Sequence, residues 1–473
     1  MKIKLGLGKM NMRDVAKFCG GELYDYTGEL GCDFEYVCTD SREADDKTLF
    51  FATRGERVDG HDYIISALDA GCRCILCEYV PVDISGRCAA FVTVENSVDA
   101  FATLAAGYRE QKPLATIAIT GSVGKTTTKE LTASIMKRFL KLYYTEGNFN
   151  SVIGMPMSLM AAEEDKVAAV FEMGMSGFGE IRSMTRTARP RVAMVSNIGS
   201  SHLEYLKTRE NIALAKLEIA EGLRDGGYLL LNGDEPLLRR AHTCKNKNFT
   251  TLYVGLDGKN DCQISAKNVR VGNRETVFDL YCLGKIYRDV KVSGIGAHFA
   301  LDACFAAGAA FLLGADERSV REGLADYTPG KMRQNIYEKD GITVIEDCYN
   351  AAPESVRCAI DALSHLDVGG KRIAVLGDMR ELGADSDEMH RDIGRYVAQK
   401  GIDVLLTLGR SASLIAEGAI SSGMAASRVF AELDIDGIDR LCAELSGRLC
   451  SLDAVLFKAS RGVKLERVIE RIF

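Results

Sequence analysis

The chain has 473 residues, 47% of them hydrophobic and 26% charged, with a formal net charge of −7. At a prior of ~150 residues per domain, that length predicts two to four domains, each able to bury its own core. The composition excludes a largely disordered chain, and the negative balance gives no general attraction to nucleic acid or anionic lipid, leaving room only for a local basic pocket.

The 15 cysteines are scattered singly apart from "CRCILC" (Cys72, Cys74, Cys77). That cluster lies in an apolar run without a second ligand pair, so small core residues are expected there rather than zinc ligands. The odd cysteine count, and the absence of a signal-type apolar region from "MKIKLGLGKMNMRDVAKF", predict a reducing, cytoplasmic setting. No stretch reaches ~18 uninterrupted apolar residues, so no membrane insertion is expected.

In chain order, "TLFFAT" (Thr48 to Thr53), the helically spaced "YIISALDAG", "CILCE" and "AFVTV" predict a small α/β domain over residues 1–112. Pro113, ahead of the apolar "LATIAI", marks the start of a second domain over 113–328. Its strands end at polar points, "VAAVF" at Glu172 and "RVAMVS" at Asn197. Strands alternating with helices predict a mostly parallel sheet whose ligands gather at the carboxyl ends of the strands. After the helical "HFALDACFAAGAAFLLG", Pro329 and Gly330 introduce a third domain, 329–473. There "ITVIED", "RIAVLGD", "DVLLTLG" and "DAVLFKAS" each precede a helical stretch, the pattern of a smaller doubly wound α/β unit.

The chemistry starts at "ITGSVGKTTTKE". Gly121, Ser122, Val123, Gly124, Lys125, Thr126 and Thr127 follow a strand and open a helix, as a phosphate-binding loop requires: backbone N–H groups around phosphate oxygens, a lysine point charge and a hydroxyl for Mg²⁺. The first glycine of the usual pattern is replaced by Ile119, expected as the last residue of the strand. Glu172 leaves its strand for a glycine-rich loop, where it reads equally as a metal-positioning carboxylate or a loop cap. His202, in "NIGSSHLEY", follows the next strand end and is a ligand or a structurally satisfied imidazole. Lys216 stands on the apolar stripe of "RENIALAKLEIAEGL", with Ile212 and Ile219. Burial there favours its neutral amine, which can be a nucleophile or take up CO₂ as a carbamate that binds metal; the other reading is a lysine that snorkels out or pairs with a glutamate. In the third domain Asp347, Tyr349 and Asn350, Asp378 and Glu381, and Lys458 and Arg461 follow successive strands. They read as caps and turns, or as contacts to a zwitterionic or phosphorylated ligand between domains.

Taken in order, "TDSRE", "LFFATRGERVDGHDYIISALDAG", "TGSVGKTTTKE", "TEGNFNSVIGMPMSL", "EMGMSGFGEI", "NIGSSHLEYLKTRENIALAKLEI", "MRQ", "DCYNAAPESV", "AVLGDMRELGADSDEMH" and "KASRGVKLERVI" resemble the ATP-dependent Mur ligases of peptidoglycan synthesis over essentially the whole chain. The loop alone reaches only the wider group that includes folylpolyglutamate synthetases. "DCYNAAP" and "GDMRELG" are similar to the member that adds D-Ala-D-Ala, not to the sister ligase that adds the third peptide residue.

The resemblance implies an N-terminal UDP-sugar-binding α/β domain, a central P-loop ATPase and a C-terminal Rossmann-like domain. It implies ATP and two Mg²⁺ ions: Lys125 on the phosphates, Thr126 and Glu172 on one ion, and Glu172, His202 and carbamylated Lys216 on the second. Asn148 and Asn150 would border the nucleotide. Ser41 and Arg42, with Asp59, Gly60 and His61, would hold the uridine nucleotide. Asp347 and Asn350 would touch ATP or D-Ala-D-Ala, and Asp378, Lys458 and Arg461 the substrates. The expected partners are UDP-MurNAc-tripeptide and D-Ala-D-Ala, acting on a monomer. The chain departs from the family pattern at Ala352 and Asp302, where asparagines are usual, while His298 keeps it. Another amide ligase of the family is the nearest alternative. A P-loop switch would leave Glu172, His202 and Lys216 unexplained.

Overall fold

The computed structural model describes residues 1–27, 32–55, 58–84, 86–112, 114–145, 147–240, 248–256 and 261–473. Pro113, Glu56, Arg57 and Glu146, which fall in the boundary and motifs read from the sequence, lie outside the described residues.

Among the described residues three main sheets follow one another along the chain. The first has six strands in the order Lys2–Lys4, Tyr36–Cys38, Thr48–Phe51, Cys74–Cys77, Ala90–Thr93, Glu22–Asp25. Its outermost pairings are antiparallel and the inner ones parallel. Cys72, Cys74 and Cys77 are buried in it among apolar neighbours, as expected of core residues. The last sheet, from Asn335–Lys339 to Val429–Glu432, is parallel except for its first hairpin.

The central, nine-stranded sheet is built on β1 (Ala115–Thr120), which lies between β2 (Ala168–Glu172) and β3 (Val192–Val195), all parallel. Both faces of these strands are covered, which is why they read as continuous apolar runs. Ile117, Ile119, Val170 and Met194 pack on one side with α1 (Lys125–Met136), while Ala118, Ala169, Phe171 and Val195 pack on the other with α2 (Arg209–Leu217). Ile119 is fully buried inside β1, and the strand runs one residue further, to Thr120. A glycine there would empty a core position, so the loop begins later than in the common pattern.

The register aligns the strand ends. Ile119 pairs with Glu172 on one side and Met194 on the other, so the phosphate loop, Glu172 and the residues after Val195 leave the sheet on one edge. The far side of this sheet is an antiparallel meander, Ile264–Val271, Glu275–Cys282 and Lys285–Ser293, to which the sequence reading assigns no strands. The chain then returns to the loop through α3 (Ala297–Leu312), which packs on α1, and enters the last lobe, where α4 (Pro353–His365) begins after "DCYNAA".

Candidate active site

A cavity of about 430 Å³ opens at the carboxyl ends of β1, β2 and β3. Ser122, Val123, Gly124, Lys125, Thr126, Thr127, Asn148, Asn150, Glu172 and His202 line it from the central lobe, and Asp347, Asn350 and Lys458 from the C-terminal lobe. Gly121 and Lys216 are not part of this lining.

The loop is held from below by Asn197, which sits just past β3. Its Oδ1 accepts from both Ser122 N and Val123 N at 2.9 Å, and Ser196 Oγ donates to the Val123 carbonyl at 2.9 Å. Glycine is required twice. A Cβ on Gly121 would run into the Ser196 hydroxyl, and Gly124 has φ +81° with its Cβ direction closed by Asp302 Oδ1 at 2.9 Å. Lys125 opens α1 and folds back, donating to the Gly121 carbonyl at 2.8 Å. Burial lowers its pKa, and Glu172 partly offsets the effect.

Glu172 is buried at the end of β2 and accepts from Thr126 Oγ1 at 2.7 Å and from Asn150 Nδ2 at 2.8 Å. A carboxylate and a hydroxyl beside a phosphate loop fit Mg²⁺, which takes few protein oxygens and completes its shell with phosphate and water. Among the described residues no three His, Cys, Asp or Glu side chains converge to hold a metal by themselves.

Lys216 is on α2 and 1% exposed, which answers the choice left by the sequence: it does not snorkel. Among the described residues its ammonium has no hydrogen-bonding or ion-pair partner. Burial, and next the nearby charge of Lys125, lower its pKa well below the ordinary lysine value.

The C-terminal lobe reaches the same cavity with a half-buried ion pair, the buried Lys458 Nζ to Asp347 Oδ2 at 2.7 Å; Lys458 also donates to the Asn350 carbonyl at 3.1 Å. Arg333 stacks over the Tyr349 ring at 4.0 Å, and both line the cavity. His298, at the start of α3, is pushed down to about 4 by burial and then by Lys458, so it is a neutral imidazole at neutral pH. Two side-chain contacts are among those that fasten the lobes together. Glu354 on α4 accepts from Ser200 N and Oγ at 2.9 Å, and Glu381 lies 2.7 Å from His202 Nδ1.

The other candidates lie elsewhere. Asp378 accepts from Ala412 N at 2.7 Å and Arg461 pairs with Glu466 at 2.8 Å, both within the C-terminal lobe and off the cavity wall. In the N-terminal lobe Asp59 caps the turn at Gly60 and contacts His61 Nδ1 at 2.6 Å, while His61 Nε2 accepts from Glu78 N at 2.9 Å. Ser41 is buried, and Arg42 pairs with Asp40 at 2.6 Å. Sequence reading did not single out Asn197, Arg333 or Glu354 as site residues. Asn197 carried a signal, a polar residue at a strand end. Arg333 and Glu354 fall in the family-like segments "MRQ" and "DCYNAAPESV", but nothing local showed their partners, which the fold of the C-terminal lobe sets for Arg333 and lobe docking sets for Glu354.

Comparison with known proteins gives the same picture in three pieces. Residues 33–109 match the Mur ligase family, catalytic domain; residues 119–310 the Mur ligase middle domain; and residues 332–461 the Mur ligase, glutamate ligase domain. The UDP-N-acetylmuramoyl-tripeptide--D-alanyl-D-alanine ligase of Bacillus subtilis is 34% identical over 98% of each chain. Its Escherichia coli counterpart is 32% identical over 94% of this chain and 96% of its own. Among solved structures, MurF from Acinetobacter baumannii superposes with a TM-score of 0.89 at 28% identity, covering 99% of both chains. The MurF ligase of Thermotoga maritima in complex with ADP superposes at 0.79 with 30% identity, covering 92% and 96%. Likeness of this extent, over all three lobes, shows that the chain belongs to the Mur ligase family.

Proposed function

We propose that this chain is an ATP-dependent amide ligase that joins D-Ala-D-Ala to the C-terminal carboxylate of UDP-MurNAc-tripeptide, releasing ADP and phosphate. The observation that carries the reading is the bonded set Thr126, Glu172 and Asn150 beside the phosphate loop, in a cavity that Asp347, Arg333 and Lys458 of the C-terminal lobe also wall. The relatives named for this reaction, similar along the whole chain, give it its substrates.

A free carboxylate is a poor electrophile. The γ-phosphoryl of ATP passes to a carboxylate oxygen, giving an acyl phosphate and ADP; the amine of D-Ala-D-Ala then attacks the carbonyl carbon, phosphate leaves, and the amine loses a proton. Lys125 exchanges the Gly121 carbonyl for β- and γ-phosphate oxygens, and the loop N–H groups hold the charge that builds there. Thr126 and Glu172 would hold one Mg²⁺, and Glu172, His202 and carbamylated Lys216 a second; when bound, these ions neutralise phosphate charge. Asn148 and Asn150 border the nucleotide. Ser41, Arg42, Asp59, Gly60 and His61 take the uridine end. Asp347 and Asn350 meet ATP or the dipeptide, while Asp378, Lys458 and Arg461 serve the substrates. Docking of the C-terminal lobe through Glu354 and Glu381 excludes water, which would otherwise consume the acyl phosphate. A cytoplasmic monomer goes with this reading, and among the described residues no helix is long and apolar enough to cross a membrane.

The test is phosphate release from ATP with UDP-MurNAc-tripeptide, with and without D-Ala-D-Ala. Full turnover is expected only with both. Release indifferent to both would overturn the reading, and turnover with a different amine in place of D-Ala-D-Ala would move the chain to a sister ligase.

A further inference from the structure

Asp302 is a buried acid at the edge of the nucleotide cavity that the mechanism above does not use. It lies on α3, is 6% exposed, and lines the cavity. Its carboxyl is packed against the start of α1: Thr128 Oγ1 donates to Oδ1 at 3.1 Å, and a Cβ on Gly124 would lie 2.9 Å from Oδ1 and 3.2 Å from Oδ2. Among the described residues it has no ion-pair partner, and the nearest lysine of the loop, Lys125, is turned to the Gly121 carbonyl.

Two physical terms decide the state of this group. A buried carboxylate served by one hydroxyl and no cation is costly, whereas its neutral form is not. The N-terminus of α1 would favour an anion, but that same N-terminus is where a phosphate loop seats its ligand, so a charged Asp302 and a nucleotide phosphate would share one positive pole and repel each other. A neutral carboxyl removes the repulsion and adds an O–H donor beside the cavity.

We propose that Asp302 borders the nucleotide as a neutral carboxylic acid, and that loss of its proton is what weakens nucleotide binding on the alkaline side. The inference rests on the nucleotide reading of the cavity and adds to it a protonation state that the site requires. Burial pushes the Asp302 carboxyl up to about 8, with the Thr128 hydroxyl acting in the opposite direction. The titratable and charged groups around it are Lys125 and Glu130 on α1, His298 on its own helix, and Tyr327, Arg333 and Cys358 from the neighbouring segments. His298 is already neutral, pushed down to about 4; Cys358 is pushed up to about 12 and Tyr327 is raised, so both keep their protons. Lys125 is lowered and can contribute its own alkaline loss. A comparison with Asp302→Asn, which keeps the shape and cannot ionise, removes that shared background.

The experiment is calorimetric binding of ADP to the full chain from pH 6 to 10, for the natural protein, Asp302→Asn and Thr128→Val. In the natural protein affinity should fall toward about tenfold per pH unit once pH passes the Asp302 midpoint, the slope for one proton. Asp302→Asn should lose that component, and Thr128→Val, lacking the bond that lowers the pKa, should move the midpoint upward. A carbonyl band of a protonated carboxyl, present in the infrared spectrum at neutral pH and missing from Asp302→Asn, reads the same state without ligand. An identical pH profile in the natural protein and Asp302→Asn overturns the proposal while leaving the nucleotide reading standing. Absence of ADP binding at every pH overturns both.

Discussion

The Glu381 carboxylate lies 2.7 Å from His202 Nδ1, joining the GDMRELG loop of the C-terminal lobe to the loop that follows β3. His202 takes a left-handed backbone, φ +66°, to make this contact, and Glu204 N donates to the Glu381 carbonyl at 3.2 Å. The His202 imidazole beside it holds the Glu381 carboxyl below its usual range, so the contact is favoured where Glu381 is ionised and is lost as pH falls through that lowered value. An imidazole anchored at Nδ1 presents Nε2 in one direction, as an outer carboxylate does for a metal-binding histidine. Glu381→Gln should lower kcat by about tenfold to a hundredfold, the range for loss of such a partner. Steady-state rates as a function of Mg²⁺ check this: the loss should shrink as Mg²⁺ is raised, and a uniform loss would assign Glu381 to lobe docking alone.

Gly199 is packed against the carboxylate of Glu354, which a Cβ there would approach to 2.9 Å, while Ser200 donates twice to the same group. Gly199→Ala should therefore push the Glu354 carboxylate, and the C-terminal lobe with it, off the central one, while the backbone N–H of residue 199 keeps its 2.9 Å bond to Ser122 Oγ of the phosphate loop. Small-angle scattering should show a larger radius of gyration, and KM for the dipeptide should rise while ADP affinity holds. An unchanged radius would remove this contact from lobe closure.

Lys216 makes two predictions of opposite sign. As a buried amine whose folded pKa lies well below its unfolded value of ~10.4, it destabilises the protein at low pH and progressively less as pH rises. Lys216→Met should thus melt above the natural protein in bicarbonate-free buffer, with the difference narrowing from pH 6 to 10. Activity should go the other way: Lys216→Ala should be inactive, with partial rescue by short carboxylates if the carbamate acts as a metal-binding carboxylate. Normal turnover in Lys216→Ala would take the residue out of the site.

Glu172→Gln keeps the shape of the side chain but removes the charge that Thr126 and Asn150 now hold in place. Turnover should fall by at least about a hundredfold, in line with loss of a group that stabilises transition-state charge. ADP binding without Mg²⁺ should change little. Equal losses with and without the cation would mean that Glu172 supports the loop rather than a metal.

The sequence showed what is local in the chain. A strand, a glycine loop and a helix beginning at Lys125 are contiguous, so Gly121 to Thr127 were legible from spacing and chemistry, whereas the stripe Ile212 to Ile219 left Lys216 open between burial and a lysine that snorkels or pairs with a glutamate, a choice that only the packing decided. The Ile119 departure became clear once β1 was known to run to Thr120. The meander over 264–293 was missed although Leu283 and Gly284, both at positive φ, form its turn. Its strands follow one another without helices, against the alternating pattern that dominates the rest. Glu354 was out of reach because what it touches is decided by how one lobe docks on another, and Arg333 because its Tyr349 partner is brought to it by the fold of the C-terminal lobe.

The central claim is an acyl phosphate on the peptide carboxylate, and oxygen tracing tests it most directly. UDP-MurNAc-tripeptide labelled with ¹⁸O in its C-terminal carboxylate should, on turnover with ATP and D-Ala-D-Ala, pass one label into the released phosphate, because the oxygen that took the phosphoryl group leaves with it. Phosphate free of label would mean that water, not the carboxylate, received the phosphoryl group, and would contradict the account.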